Sequence, residues 1–578
     1  MEAMMDRASR LLKRGSPPGK QNRTSLWTSR SQALGTRNQG AILDGADSSS
    51  RRGAGFMKNR ATTGAGAVVG FLLRVVGLLS MLALSPTFAA SGGGTKACTA
   101  LTTARAFKDT TITAARMIGA DANSKTPAYC EVTGLITPVP GSRITVVYRL
   151  PDSWNGKLVG LGGGGWAGNL TLDRSGARTY AAAANLALGY ATAQTDGGHP
   201  STEIWDTSWS ANVESFKDFS YRAVHLMTTV GKAVVARYYG KPQKRAYFQG
   251  CSTGGRQGLM EVQRFPDDYD GVISGAPVYS FLTQTSALVR NEAFAKPGAA
   301  LTASQVTRLH EAVLAACDAQ DGLKDGIVTD PRACSFDPAT LQCPEGAATP
   351  DCLTAPQVAA VRSVYSGLKT TDGRTASYPL SRGGEGGWAR FVVLTPVSGA
   401  SAGIGDIGNG LGGLRKALFG NPDYDLRAFD AERDLQKLRD SEFAGLYEAK
   451  DPNIAPFVAR GGKLLLWHGF DDPGPSAVGT IDYYESVRQT TGPKAPGLDA
   501  SLRLFLLSGV YHCRGGPGAD GFDSLAALDR WVEAGQAPDE VVATREDGKL
   551  SRPLCRYPTL PHYKGSGDPA AASSFECR

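Results

Sequence analysis

Short apolar, β-branched runs separated by turn-forming residues recur through the middle of the chain. Ile144-Thr145-Val146-Val147-Tyr148-Arg149-Leu150 reads as a strand that ends at the turn Pro151-Asp152-Ser153-Trp154-Asn155-Gly156, and 157–161 reads as the next. Runs of the same character follow at 190–195, 246–249 and 269–274, and again at 462–467 and 502–507. Between them, 219–238 carries Ala223, Leu226, Val230, Val234 and Ala236 at helical spacing. Strand–helix–strand alternation of this kind predicts an α/β fold with a mostly parallel sheet. From about 280 to 460 the pattern changes. Helical stretches such as 304–316 alternate with Gly/Pro-rich loops before the strands resume. The expected organisation is a core in two parts, 90–279 and 461–578, with a cap (lid) domain, 280–460, inserted between them.

Length and charge refine this picture. A chain of 578 residues exceeds one ordinary core, and 42% apolar with 20% charged residues is a globular composition. The formal charge of +8 is misleading. Residues 1–89 hold 13 Lys and Arg against 4 Asp and Glu, an excess of nine that leaves the rest at −1. A nucleic-acid partner therefore has no electrostatic support. The apolar run 75–84 follows Lys58, Arg60 and Arg74 and precedes Ser85-Pro86-Thr87-Phe88-Ala89-Ala90, the layout of a signal peptide cleaved after Ala89. The run is short for a membrane span. Met57-Lys58-Asn59-Arg60 has the form of a signal-peptide start, so 57–89 reads as the signal and 1–56 as a dispensable basic extension. All ten cysteines lie beyond residue 89 and none forms a C-x-x-C pair. Disulfides in a secreted or periplasmic protein are expected, and zinc is not.

The chemistry centres on Gly250-Cys251-Ser252-Thr253-Gly254, a G-x-S-x-G nucleophile elbow between the strand at 246–249 and a helix opening near Arg256. In a chain with 71 glycines a bare match carries little, so its partners decide. The strand 157–161 runs into Gly162-Gly163-Gly164-Gly165-Trp166-Ala167-Gly168, which lacks the spacing of a phosphate-binding loop but suits a loop that offers N–H groups to an oxyanion. The α/β-hydrolase order is Ser, then Asp or Glu, then His, each after a strand. His512 follows the strand at 502–507, and Asp471 and Asp472 follow the strand at 462–467. His199 and His468 come too early for the base and read as structural. Cys251 adjoins Ser252 and Cys513 adjoins His512. A disulfide between them would hold the two backbones about 5.5–6 Å apart, within reach for a serine–histidine pair. The run Asp318-Ala319-Gln320-Asp321-Gly322-Leu323-Lys324-Asp325-Gly326-Ile327 is either an acidic surface turn or a loop folded around a hard cation.

With these residues the mature chain, from Cys98 to Cys577, resembles the tannase/feruloyl esterase family. The resemblance rests on Cys251-Ser252, Asp472 and His512-Cys513 together with G-C-S-T-G-G-R-Q, the acidic run, His468-Gly469-x-x-Asp472 and Gly515-Gly516-Pro517-Gly518. It implies an α/β-hydrolase fold with a large inserted cap, the catalytic set Ser252, Asp472 and His512, and oxyanion donors at Thr253 and Gly168. It implies a structural Ca2+ held by Asp318, Asp321 and Asp325 with the carbonyls of Leu323 and Ile327, and no organic cofactor. It also suggests five disulfides: Cys98 with Cys130, Cys251 with Cys513, Cys317 with Cys334, Cys343 with Cys352, and Cys555 with Cys577. Family members cleave esters of aromatic acids such as gallate, ferulate and the mono(hydroxyethyl) ester of terephthalate. A feruloyl- or tannin-type esterase acting on a small aromatic ester is the expectation, with the terephthalate half-ester as the alternative. Trp388 and Phe391 of the cap are candidates to stack on the aromatic ring, cap–core packing being the other role open to them. A reading of another class, a calcium-stabilised binding protein on the same scaffold, requires a broken catalytic set, and here the set is complete.

Overall fold

The computed structural model describes residues 94–578 apart from 104–106, 169, 171–180, 202–205, 348, 350, 389–391, 393–413 and 426–427. The leader 1–89 and Phe391 therefore lie outside the described residues.

A nine-stranded mixed sheet organises the fold. Its strands are β1 (Thr110–Ile118), β2 (Tyr129–Ile136), β3 (Ile144–Pro151), β4 (Lys157–Leu161), β5 (Ala191–Thr195), β6 (Arg245–Cys251), β7 (Gly271–Gly275), β8 (Lys463–Gly469) and β9 (Leu502–Leu507). Their spatial order is β1-β2-β3-β5-β4-β6-β7-β8-β9. β1, β2, β3 and β5 pair antiparallel, and every pairing from β5 through β9 is parallel. The parallel strands are buried at nearly every position because both faces are covered. In β8, Leu464 and Leu466 join the cluster that includes Val234, Leu259 and Val487, while Leu465 and Trp467 join the cluster that includes Leu528 and Trp531.

Helices α1 (Ala223–Tyr239) and α2 (Thr253–Arg264) follow β5 and β6 in the chain. Between β7 and β8 the described residues add no strand to the main sheet. They include α3 (Phe281–Ala295), α4 (Ala303–Cys317) and α5 (Ala355–Ser366), which pack around their own apolar cluster of Phe294, Leu309, Val361, Tyr365 and Trp388. The helices α4 and α5 each begin with a capping box, Thr302 with Gln305 and Thr354 with Gln357, which satisfies donors that a first turn leaves free. Helices α6 (Ala477–Thr491) and α7 (Ser524–Ala534) complete the core. No helix of the described residues is long and apolar enough to cross a membrane.

Candidate active site

Ser252 stands at the junction of β6 and α2 with φ 62° and ψ −120°. A non-glycine residue there is strained by about 1–3 kcal/mol, so its neighbours must impose the turn. The Ser252 N–H donates to Gly275 O (3.0 Å), and its carbonyl accepts from Arg256 N (3.0 Å) and Val278 N (3.2 Å). A side chain at Gly250 would come within 2.5 Å of the Gly254 backbone, and one at Gly162 within 2.6 Å of Gly254 Cα. Both ends of the motif are thus glycine because backbone meets backbone there.

The turns that leave β8 and β9 are bonded to each other. Phe470 N donates to Leu507 O (2.8 Å) and Asp471 N to Val510 O (3.1 Å). They bring His512 between Asp472 and Ser252, with Nδ1 2.6 Å from Asp472 Oδ2 and Nε2 2.9 Å from Ser252 Oγ. An ionised carboxylate only accepts, so Nδ1 carries the proton and Nε2 is left to accept the serine hydroxyl. Burial pushes the Asp472 carboxyl up, but the His512 charge and the hydrogen bonds from His468 and His512 outweigh it and hold the group at about 2.

His468 is the second imidazole on this carboxylate. Its Nε2 is 3.1 Å from Asp472 Oδ2 and 3.1 Å from Pro475 O, and its Nδ1 is 2.7 Å from Thr480 Oγ1. Gly474 N donates to the other carboxylate oxygen, Oδ1, at 2.7 Å. Asp471, the neighbouring acid, does not face His512. Its carboxyl is fully buried and is pushed well up by burial, with the charge of Glu385 acting in the same direction.

The glycine-rich loop after β4 lies against the start of α2. Thr253 Oγ1 donates to Gly165 O, and Gly163 N donates to Gln257 Oε1 (3.1 Å). At the far end, Gly168 O accepts from Ser201 N (3.1 Å), and His199 Nε2 lies 2.6 Å from Trp166 O. His199 is buried, stacks on Trp209 and fixes this loop, apart from the Ser252–His512 pair.

All five suggested disulfides form. Cα–Cα distances are 5.7 Å for Cys98–Cys130, 6.1 Å for Cys251–Cys513 and 5.5 Å for Cys317–Cys334. They are 5.0 Å for Cys343–Cys352 and 5.5 Å for Cys555–Cys577. The Cys251–Cys513 bridge joins the residues beside Ser252 and His512. In the acidic run, Asp318 accepts from Asp325 N and Gly326 N, Asp321 from Leu323 N and Thr329 Oγ1, and Asp325 from Ile327 N and Arg552 Nη2. Burial pushes the Asp325 carboxyl up; Arg552 opposes this, while the nearby Asp321 and Asp318 charges add to it. Three carboxylates against one guanidinium leave a net negative, oxygen-only donor set, chemistry that fits a hard divalent cation. Trp388 is fully buried between Phe294 and Tyr365 in the apolar cluster between β7 and β8, the packing role weighed for it from the sequence.

Two buried arginines at the site carry no signal in the one-dimensional pattern. Arg290 of α3 is 1% exposed and donates from Nη2 to Gly474 O (3.0 Å), gripping the turn that holds Asp472. Burial pulls its guanidinium down to about 10, against the opposing charge of Asp472. Arg256 of α2 donates to the carbonyls of Phe219, Ser220 and Tyr447 and fastens the elbow helix to both sides of the molecule.

Comparison with known proteins follows the same lines. The family model described as tannase and feruloyl esterase matches residues 130–578. The chain is 33% identical over 524 residues to mono(2-hydroxyethyl) terephthalate hydrolase of Piscinibacter sakaiensis, covering 78% of this chain and 85% of that protein. It is 35% identical over 464 residues to a probable feruloyl esterase of Arthroderma benhamiae, covering 75% of this chain and 82% of that one. Among solved structures, feruloyl esterase B from Aspergillus oryzae superposes with a TM-score of 0.72 at 27% identity, over 84% of this chain and 100% of that chain.

Proposed function

Because the chain belongs to the tannase and feruloyl esterase family and is a carboxylic ester hydrolase, we propose that Ser252, His512 and Asp472 are its catalytic triad and that its substrate is a small ester of an aromatic acid. The observation that carries this reading is the unbroken run of hydrogen bonds from Ser252 Oγ through His512 to Asp472, at 2.9 and 2.6 Å. Ser252 Oγ attacks the ester carbonyl while His512 Nε2 takes its proton, and Asp472, ionised and fully buried, stabilises the imidazolium. The N–H of Thr253, first residue of α2, has no acceptor within the helix; in this reading it stabilises the developing oxyanion together with the N–H of Gly168. His512 then protonates the departing alcohol. Water, activated by the same imidazole, hydrolyses the acyl-enzyme.

The acyl half is a hydroxycinnamate or gallate, enclosed between the core and the lid at 280–460. A second reading, cleavage of the terephthalate half-ester, has its support in the 33% identity to the Piscinibacter sakaiensis enzyme. Asp318, Asp321 and Asp325, with the carbonyls of Leu323 and Ile327, hold a structural Ca2+, favoured by the oxygen-only, net negative donor set. Five disulfides fit export to an oxidising compartment, secreted or periplasmic, led by the signal at 57–89. Assaying methyl ferulate, methyl gallate and mono(2-hydroxyethyl) terephthalate with wild type and Ser252→Ala tests the proposal. Wild type is expected to prefer one of the first two, and Ser252→Ala to lose about 10⁶-fold in kcat. Activity that survives Ser252→Ala removes the mechanism, and preference for the third ester selects the second reading.

A further inference from the structure

At the end of α2 remote from Ser252, three ligand-type side chains converge. His225 of α1, Glu261 of α2 and Asp268 of the turn before β7 each present a ligand atom, and these atoms all lie within 4.8 Å of one another. It is the one such group among the described residues. His225 Nδ1 is 2.6 Å from Asp268 Oδ2, and the imidazole is held flat on Phe265 with ring centroids 4.0 Å apart.

Glu261 sets the problem. It is 1% exposed, and neither carboxylate oxygen meets a donor. The neighbour its side chain does reach, the Asp268 carboxylate, is an acceptor like itself. Nearby donors point elsewhere: Lys232 Nζ donates to Asp267 O (3.3 Å), Thr228 Oγ1 donates to Val224 O (2.8 Å), and the Tyr269 hydroxyl donates to Thr228 Oγ1. Asp268 accepts from His225, but Glu261 has no donor, and two adjoining buried carboxylates cost several kcal/mol unless a proton or a cation comes between them. The imidazole on their open side decides in favour of a cation.

We propose that His225, Glu261 and Asp268 form a site for a divalent first-row metal ion. One imidazole nitrogen and two carboxylates make a borderline donor set suited to Zn2+, unlike the oxygen-only run at 318–327. Ligands of a tetrahedral Zn2+ with bonds of ~2.05 Å lie about 3.3 Å apart, inside the spread of this group. The His225 side chain, 30% exposed, gives the ion its entry and leaves room for water as fourth ligand. From Thr253 to Glu261 the helix rises about 12 Å, so the ion sits away from the ester and pins the elbow helix to α1 and to the approach to β7.

The test uses the full chain, stripped with a chelator and dialysed against Zn2+ with Ca2+ in excess, and measures metal content by mass spectrometry. Wild type is expected to retain one Zn2+, and His225→Ala and Glu261→Gln none, with Ca2+ content unchanged. Zn2+ should raise the Tm of stripped wild type by a few degrees and leave both variants unmoved. Retained esterase activity in His225→Ala verifies that the variant folds. Absence of bound Zn2+ in wild type, or its retention by both variants, overturns the proposal. A rise in Tm for Glu261→Gln without zinc binding assigns the pair to a shared proton instead.

Discussion

Removing the Cys251–Cys513 bridge as Cys251→Ala/Cys513→Ala separates two things the bridge can do, stabilise the fold and position the Ser252–His512 pair. Its sequence separation is 262, against 9 to 32 for the other four. In the chain-entropy account such a loop is worth about 5–6 kcal/mol and the shortest about 2.6. With an unfolding entropy of about 2.1 cal/mol/K per residue over roughly 480 folded residues, the double variant should lose about 6 °C in Tm, and Cys343→Ala/Cys352→Ala about 3 °C. The β8–β9 ladder, six Cα pairs from Leu464–Leu502 to Gly469–Leu507, survives in both. The His512 turn therefore stays nearby but is no longer tied to Ser252. A loss of registry near 1 Å at reacting groups costs up to about 100-fold. The expected result, from calorimetry and from kinetics on the best ester at 25 °C, is a 10- to 100-fold fall in kcat with KM little changed, and no such fall for the Cys343/Cys352 control. If the Cys251/Cys513 variant loses the 6 °C but keeps wild-type kcat, the bridge stabilises without positioning, and the geometric reading of the paired cysteines is wrong.

Three further outcomes follow from particular groups. Burial raises the Asp196 carboxyl from 3.8 to about 6, so its contribution to stability is full below pH 3.8 and is lost as pH rises through 6. Asp196→Asn, which keeps the oxygen that accepts from Thr145 N and Gly198 N, should flatten the decline in Tm between pH 4 and 7; an unaltered slope refutes this. His468→Ala removes a fully buried donor to Asp472 and should lower kcat about 10-fold as well as Tm, with His468→Gln recovering part of both. Chelation with EGTA should lower the wild-type Tm by several degrees and leave Asp321→Ala unmoved; an unmoved wild type removes the calcium from the account.

The parallel half of the sheet was legible because strands buried on both faces must be apolar at almost every position, as 462–467 and 502–507 are. Neither β1 nor β2 was anticipated. In β1 Ile112 is the one buried position among exposed and half-buried residues at the sheet edge, so little burial is written into Thr110–Ile118. The expected helix at 219–238 is entered from a regular helical turn at Val213–Lys217; Asp218–Arg222 form a wider π-type turn, and regular helix resumes at Ala223. The cause is distant in sequence: the Arg256 guanidinium takes the carbonyls of Phe219 and Ser220, which opens the helical ladder there. The Ser252–His512–Asp472 arrangement could be read because each member follows a strand and two carry a cysteine beside them. The hold of His468 on Asp472 was hidden, since two imidazoles on one carboxylate is a fact of side-chain direction, not of spacing.

How the stretch between β7 and β8 attaches bears on how specificity and rate are linked. Arg290 grips Gly474 O, Ser381 Oγ donates to Phe470 O, and Ser476 Oγ donates to Pro379 O, so three bonds bind this stretch to the turn that carries Asp472. On the side of the base, Ser508 Oγ donates to Thr329 O (2.8 Å), and Gly386 lies so close to Tyr511 that a side chain there would strike its hydroxyl. The stretch is therefore not a flap resting on a finished Ser252–His512–Asp472 arrangement, because its packing helps fix where Asp472 and His512 stand. Substitutions in it that alter ester preference move those anchors too. A specificity change won there should accordingly appear in kcat together with KM, whereas a flap independent of the triad would alter KM alone.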